Sequence, residues 1–237
     1  MVTVGLVMLM ILMRRWWGCP RDLGATLVAA PSWSLCGRCI GRLVCPGSVG
    51  VVSSSELEPT QWKILGDRLV DENPFIRLSI ASVELPDGTK FEQYVMRMRR
   101  TATTVVLDEQ GRVLLMWRHR FITDQWVWEL PGGYVDQAED PAAAAAREVE
   151  EETGWRPLKK PELVMTFQPM IGNADSPQDL YFAKGAIEVG RPDANETRRV
   201  AWVPLNEAVR MIKEGEIAGA GSVIGIYYAL SMQHGPG

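Results

Sequence analysis

Between Gly133 and Trp155 the chain reads GYVDQAEDPAAAAAREVEEETGW, and this stretch delimits one helix around which the rest of the fold has to be arranged. Asp140 is a favourable N-cap, Pro141 suits the first helical position, and Gly154 can adopt the left-handed conformation that ends a helix. The alanine run between them has no competing β signal. The segments on either side do not share this pattern. An alternating stretch spans Ile64 to Val70. Pro86-Asp87-Gly88 supplies a turn between runs at Leu78–Leu85 and Phe91–Met98. Asp108-Glu109-Gln110-Gly111 does the same between Thr103–Leu107 and Val113–Trp117. Further strand-like runs follow at Leu163–Phe167, Leu180–Ala183 and Arg199–Val203. Leu205, Ala208, Val209 and Ile212 recur at helical spacing, and a last helix is expected over Ser222–Met232. One mid-chain helix among hairpins, with helices at the end, predicts an α/β chain in which a mixed sheet is packed by helices.

The helix carries a concentration of charge that stability alone does not favour. Glu148, Glu151 and Glu152 stand at i, i+3 and i+4, where like charges repel. Such a carboxylate face asks for a cation, and oxygen-only ligands select hard ions such as Mg²⁺ or Mn²⁺. Glu150 points elsewhere and reads as a solvated residue. Arg147 precedes the group and can orient a carboxylate, while Gly132-Gly133 permits a close backbone approach.

Composition narrows the partners. With 25 basic and 29 acidic residues the net charge is −4, which offers no basic field for polymeric nucleic acid. Residues 1–55 differ from the rest. They hold all four cysteines (Cys19, Cys36, Cys39, Cys45) and five arginines against one acid, Asp22. The apolar run Val2–Met13 lacks the positive stretch of a signal peptide and is too short to span a membrane. Irregular spacing and the absence of a nearby histidine argue against a zinc site. This part is expected to be a poorly ordered N-terminal extension, a leader or a mis-assigned start, followed by one domain over 56–237.

Residues Gly133, Glu139, Arg147, Glu148, Glu151, Glu152 and Gly154 fill every fixed position of G-x5-E-x7-R-E-U-x-E-E-x-G-U, where U is aliphatic, so the segment resembles the box of the Nudix hydrolases. Seven such coincidences arise by chance about once in 10⁸ positions. Trp155 departs from the last aliphatic position without touching a ligand. The resemblance covers Trp62 to about Met232 and implies a Nudix-type α/β/α sandwich with a mixed sheet, preceded by the N-terminal extension. It also implies metal binding by Glu148, Glu151, Glu152 and the Gly132 carbonyl, with Gly133, Glu139, Arg147 and Gly154 supporting the box helix.

The implied reaction is cleavage of the pyrophosphate bond in a nucleoside diphosphate linked to another moiety. A divalent ion neutralises the phosphates and acidifies the attacking water. Glu151 and Glu152 are candidates for completing the deprotonation, and Asp175 on the loop 172–177 is a further one, with Asp179 weaker. The order Asn73-Pro74-Phe75, Trp117-Arg118-His119-Arg120 and Glu129-Leu130-Pro131-Gly132-Gly133 is similar to the ADP-ribose and ADP-sugar pyrophosphatase branch. That similarity makes Arg118, Arg120 and Glu129 candidates for substrate binding, since guanidinium groups match phosphate geometry. Pro169 stands near a proline that accompanies ADP-ribose specificity. Trp126 and Trp128 are candidates for stacking on a base, with core packing as the alternative, and His119 reads as structural. The expected protein is a cytoplasmic homodimer acting on a small nucleotide-sugar or dinucleotide substrate. The alternative is a regulatory domain that binds such a ligand without turnover.

Overall fold

The computed structural model describes residues 60–233. The expected extension over residues 1–55, with its cysteines and apolar run, lies outside them.

The first three strands, β1 (Lys63–Glu72), β2 (Ile76–Glu84) and β3 (Lys90–Met98), form an antiparallel meander. Asn73 turns the chain from β1 into β2, its side-chain oxygen accepting from the backbone N–H groups of Phe75 and Ile76. Next come β4 (Thr101–Leu107) and β5 (Arg112–Arg120), joined by a turn in which Asp108 accepts from Gln110 and Arg112. Gly111 takes φ 73° there, a conformation that a side chain would oppose. The strand β6 (Gln125–Glu129) returns along β5, and the short β7 (Gly132–Tyr134) lies on β4.

The predicted helix is α1 (Pro141–Thr153). Gly154 closes it at φ 75°, donating its N–H to Glu150 O; a Cβ there would meet the Gly190 carbonyl oxygen at 2.5 Å. Asp140 occupies the N-cap, and its carboxylate pairs with Lys160. Beyond the helix lie β8 (Trp155–Pro157), β9 (Glu162–Phe167), β10 (Ala174–Asp175), β11 (Gln178–Lys184), β12 (Ala186–Glu188) and β13 (Arg199–Pro204). Two helices follow, α2 (Leu205–Lys213) and α3 (Ala220–Gln233).

The central sheet runs β13-β5-β4-β11-β9, with β6 paired to β5 and β7 to β4. It is mixed, because β11 runs parallel to β4 with Leu180 opposite Thr103. Neighbouring residues of β4 face opposite sides. Val106 packs with Leu114 and Val149, beneath α1. Val105 packs with Leu180, Ala208, Met211 and Ile226, beneath α2 and α3. The sheet is therefore covered by helices on both faces, the α/β/α sandwich that the sequence led us to expect.

Candidate active site

The paired β4–β7 edge and the face of α1 that meets it build the site. Gly132 and Gly133 lie in β7, where a side chain would press on the backbone of β4 at the first and on the Glu148 carboxylate at the second. A Cβ on Gly132 would stand 2.4 Å from the Ala102 carbonyl oxygen, and one on Gly133 would stand 2.5–2.6 Å from the Glu148 carboxylate. The backbone thus presses against α1, and the Gly132 N–H donates to Glu152 Oε2 at 2.7 Å. Glu152 is buried, and Arg118 from β5 donates to its other oxygen at 2.7 Å. Burial pushes the Glu152 carboxyl up to about 8, against the opposing pull of the Gly132 N–H and the Arg118 charge. Burial also raises Glu148, with Arg147 working in the opposite direction.

Glu148 and Glu152 line one cavity of about 370 Å³. Its other walls bring Arg99, Arg118 and Arg120 together with Phe75, Tyr134 and Glu196. Glu151 takes a different direction. On an α-helix residues four apart diverge by about 40°, and residues three apart by about 60° in the other sense. Glu151 accordingly turns outward, 57% exposed, and accepts from Arg147 at 2.9 Å. Arg147 also binds Glu139 and Glu148, and reaches the Tyr134 carbonyl at 3.3 Å. It therefore stitches the loop before α1 to the helix. Among the described residues no three His, Cys, Asp or Glu side chains stand close enough together to hold a metal ion in this arrangement. The donor chemistry nevertheless suits a hard cation. Two carboxylates share one cavity, burial disfavours their charge, and a positive ion would restore it.

Other sequence candidates are distributed around this cavity. Arg120 pairs with the buried carboxylate of Glu129, Nε reaching both oxygens at 3.0 Å and Nη2 reaching Oε2 at 2.5 Å. Asp175 stands apart. Its carboxylate accepts from Gln168 Nε2 at 2.8 Å, and it lines a separate cavity with Ile171 and Gly172. Asp179 is buried under Arg100, whose Nη1 lies 2.7 Å from both oxygens, and under the Thr166 hydroxyl. Trp128 packs against the core, whereas Trp126 is half exposed and stacks on Trp117 at 6.0 Å. His119 rests on Trp126 and reaches Asp124 at 3.1 Å.

Glu196, Arg99 and Tyr134 were not singled out from sequence. Glu196, on the loop before β13, accepts from Arg118 Nη2 at 2.9 Å and enters the cavity of Glu148 and Glu152. Arg99 sits over the rings of Phe75 and Tyr134, at 6.0 and 5.4 Å from their centroids. The two rings lie 5.2 Å apart and form an aromatic rim to the cavity.

Comparison with known proteins identifies the family and the fold. The NUDIX domain model matches residues 97–221. The CMP-5'-(N-acetyl-N-hydroxy-3-aminopropyl)phosphonate hydrolase of Streptomyces rubellomurinus is 45% identical over 173 residues, covering 73% of this chain and 84% of that protein. The ADP-ribose pyrophosphatase of Mycobacterium tuberculosis is 30% identical over 148 residues, 61% of this chain and 71% of that one. A crystal structure of an ADP compounds hydrolase superposes with a TM-score of 0.64 at 17% identity, covering 72% of this chain and 94% of that one, which is a likeness of fold.

Proposed function

The chain belongs to the Nudix family, and from that premise we propose that it hydrolyses the phosphoanhydride bond joining a nucleoside monophosphate to a second phosphoryl or phosphonyl group that carries a further moiety X. The substrates to which this reading points are ADP-ribose, a nucleotide sugar, or a CMP-linked phosphonate like the one named for the Streptomyces relative. One observation carries it: the buried Glu152 and the half-buried Glu148 of a single helix share a cavity with four guanidinium groups, those of Arg99, Arg118, Arg120 and Arg147, and an aromatic rim.

A divalent cation, Mg²⁺ or Mn²⁺, held by Glu148 and Glu152 with the Gly132 carbonyl, would neutralise the phosphoryl oxygens and make the attacking water more acidic. Glu151 joins that set if its carboxylate leaves Arg147. Arg118, Arg120 and Arg99 bind and orient the anionic oxygens, where planar guanidinium groups give paired contacts. Phe75 and Tyr134 offer rings to the nucleobase, with Arg99 held between the aromatic rim and the phosphates. Glu196 is placed to accept the proton of the attacking water, because it faces the same cavity while Asp175 faces another.

A homodimer fits the meander at the start of the domain. Every residue of β1 is exposed, including Ile64, Leu65, Leu69 and Val70, so neither face of that strand is covered by the other described residues. A second copy would cover it, and light scattering at micromolar concentration should return twice the chain mass. No helix among the described residues is long and apolar enough to cross a membrane. Substrates of this type are intracellular metabolites, so the proposed location is the cytoplasm.

The test is product analysis on a panel of ADP-ribose, nucleotide sugars and CMP-phosphonates, each with Mg²⁺, with Mn²⁺ and with chelator. Metal-dependent release of a nucleoside monophosphate is expected. Tight binding of a panel member with no turnover under any metal would replace hydrolysis with the regulatory reading.

A further inference from the structure

Beside the catalytic cavity, and sharing Arg120 and Gly132 with it, lies a groove of about 380 Å³ between the loop that follows β9 and the opening turn of α3. Its walls are apolar, from Met98, Leu130, Pro169 and Met170. Its polar groups are neutral or neutralised. Arg120 and Glu129, at the shared end, cancel one another in a bidentate pair. Gln178 and Thr103 face the start of α3 from adjacent strands. A Cβ placed on Gly221 would stand 3.3 Å from Gln178 Oε1 and 3.4 Å from Thr103 Oγ1, so the two atoms converge on one spot. Neither side chain has a hydrogen-bond partner among the described residues, although both are half-buried. Ser222, by contrast, is already engaged, its hydroxyl accepting from the Leu130 N–H.

We propose that this groove receives the distal part of X, and that it selects an uncharged tail rich in hydroxyl or amide groups, with Gln178 and Thr103 as the specificity-determining contacts. The proposal rests on the hydrolase reading and extends it. Half-buried amide and hydroxyl groups without partners gain most from a ligand that hydrogen-bonds to them. A charged tail would find no counter-ion, because the one ion pair in the groove is internally satisfied. A sugar and an acylated amine on a short chain share the required chemistry, and both have the breadth to lie between the methionine and proline walls. The opening turn of α3 stays slim at Gly221, which leaves Gln178 and Thr103 room to face into the groove.

The experiment compares kcat/KM of the full chain, Gln178→Ala and Thr103→Val on three cytidine substrates: CDP-glucose, the CMP anhydride of 3-acetamidopropylphosphonate, and CDP-choline. These carry a sugar, a neutral amide chain and a fixed cation. The wild type is expected to prefer one of the neutral tails to choline by about tenfold or more, and whichever wins identifies the source of the tail. Each variant should lose about tenfold on that substrate and less than threefold on CDP-choline, with an unchanged circular dichroism spectrum. Equal losses on all three substrates, no loss on any, or a wild type that favours CDP-choline would overturn the assignment. A wild type that releases CMP from none of them, and no monophosphate from the wider panel, would instead sink the hydrolase reading itself.

Discussion

Arg118 Nη1 donates to Glu152 Oε1 at 2.7 Å, and this contact joins β5 to the face of α1 that lines the cavity. The same guanidinium reaches Glu196 with its other terminal nitrogen, so one side chain sets the separation between the proposed metal-binding carboxylate and the proposed base. A lysine ammonium lacks the rigid fork of two terminal nitrogens that holds both acceptors here. Arg118→Lys is therefore expected to fold and to lose about 10–100-fold in kcat/KM. Glu196→Gln should cost about 10²-fold or more in kcat, and Asp175→Asn less than threefold. In the double variant Arg118→Lys, Glu196→Gln the losses should fall short of additive, because both changes break one unit. Full additivity would show that the two residues act separately.

The raised carboxyl of Glu152 sets a pH dependence whose sign can be worked out. In the unfolded chain the group ionises near its ordinary value of 4.5, and in the folded, metal-free protein only near 8. Its contribution to stability is thus complete below about 4.5 and is lost as pH rises to 8. Glu152→Gln does not titrate. The difference in Tm between wild type and this variant, in chelator, should shift against the wild type by several degrees from pH 5 to pH 8.5. Added Mn²⁺ favours the ionised form, so it should raise the wild-type Tm more at pH 8 than at pH 6. A Tm difference that stays constant with pH would contradict the burial argument.

What was legible in sequence follows from how local the signal is. The helix α1 could be read because its cap, its first-position proline and its terminal glycine all lie within its own neighbourhood, and β2 with β3 because Pro86-Asp87-Gly88 marks their turn. The short β7 was not read, since Gly132-Gly133 looks like a turn until β4 pairs with it. Helical spacing grouped Glu148, Glu151 and Glu152; Glu148 and Glu152 line one cavity, while Glu151 turns toward Arg147. Glu196 gave no signal at all. It sits on an irregular loop and meets Arg118 across 78 positions of chain, a contact that only the pairing of β13 with β5 creates. Asp175 drew attention as an acid on a loop after the box, and sequence could not show that Gln168 holds it in another cavity.

Ala138 offers a stability test away from the chemistry. It adopts φ 67°, a left-handed conformation that costs an L-residue about 1 kcal/mol, just before Glu139, whose carboxylate holds Arg147. Glycine removes that strain but adds entropy to the unfolded chain. The strain is the larger effect, so Ala138→Gly should stabilise the protein by about 0.5 kcal/mol or more, read from urea unfolding with an unchanged m-value. Destabilisation would mean that the Ala138 methyl makes contacts outweighing its backbone strain.

Gly133 lies where β7 meets α1, and its lack of a side chain is what lets Glu148 occupy its present position. A methyl group there would stand 2.5–2.6 Å from three atoms of the Glu148 carboxylate, too close for any rotamer in the same well. The carboxylate has to swing away, taking with it its contact to Arg147 and its place beside Glu152 in the cavity. Since Glu148 is the flexible partner and the strand is fixed by Ala102 opposite Gly133, the fold should survive the substitution. Gly133→Ala is expected to weaken Mn²⁺ binding at least tenfold, measured by calorimetry without substrate, and to lower turnover by a similar factor at limiting metal. High metal concentration should then restore much of the rate. A variant that binds Mn²⁺ as tightly as the wild type would remove Glu148 from the set of metal ligands.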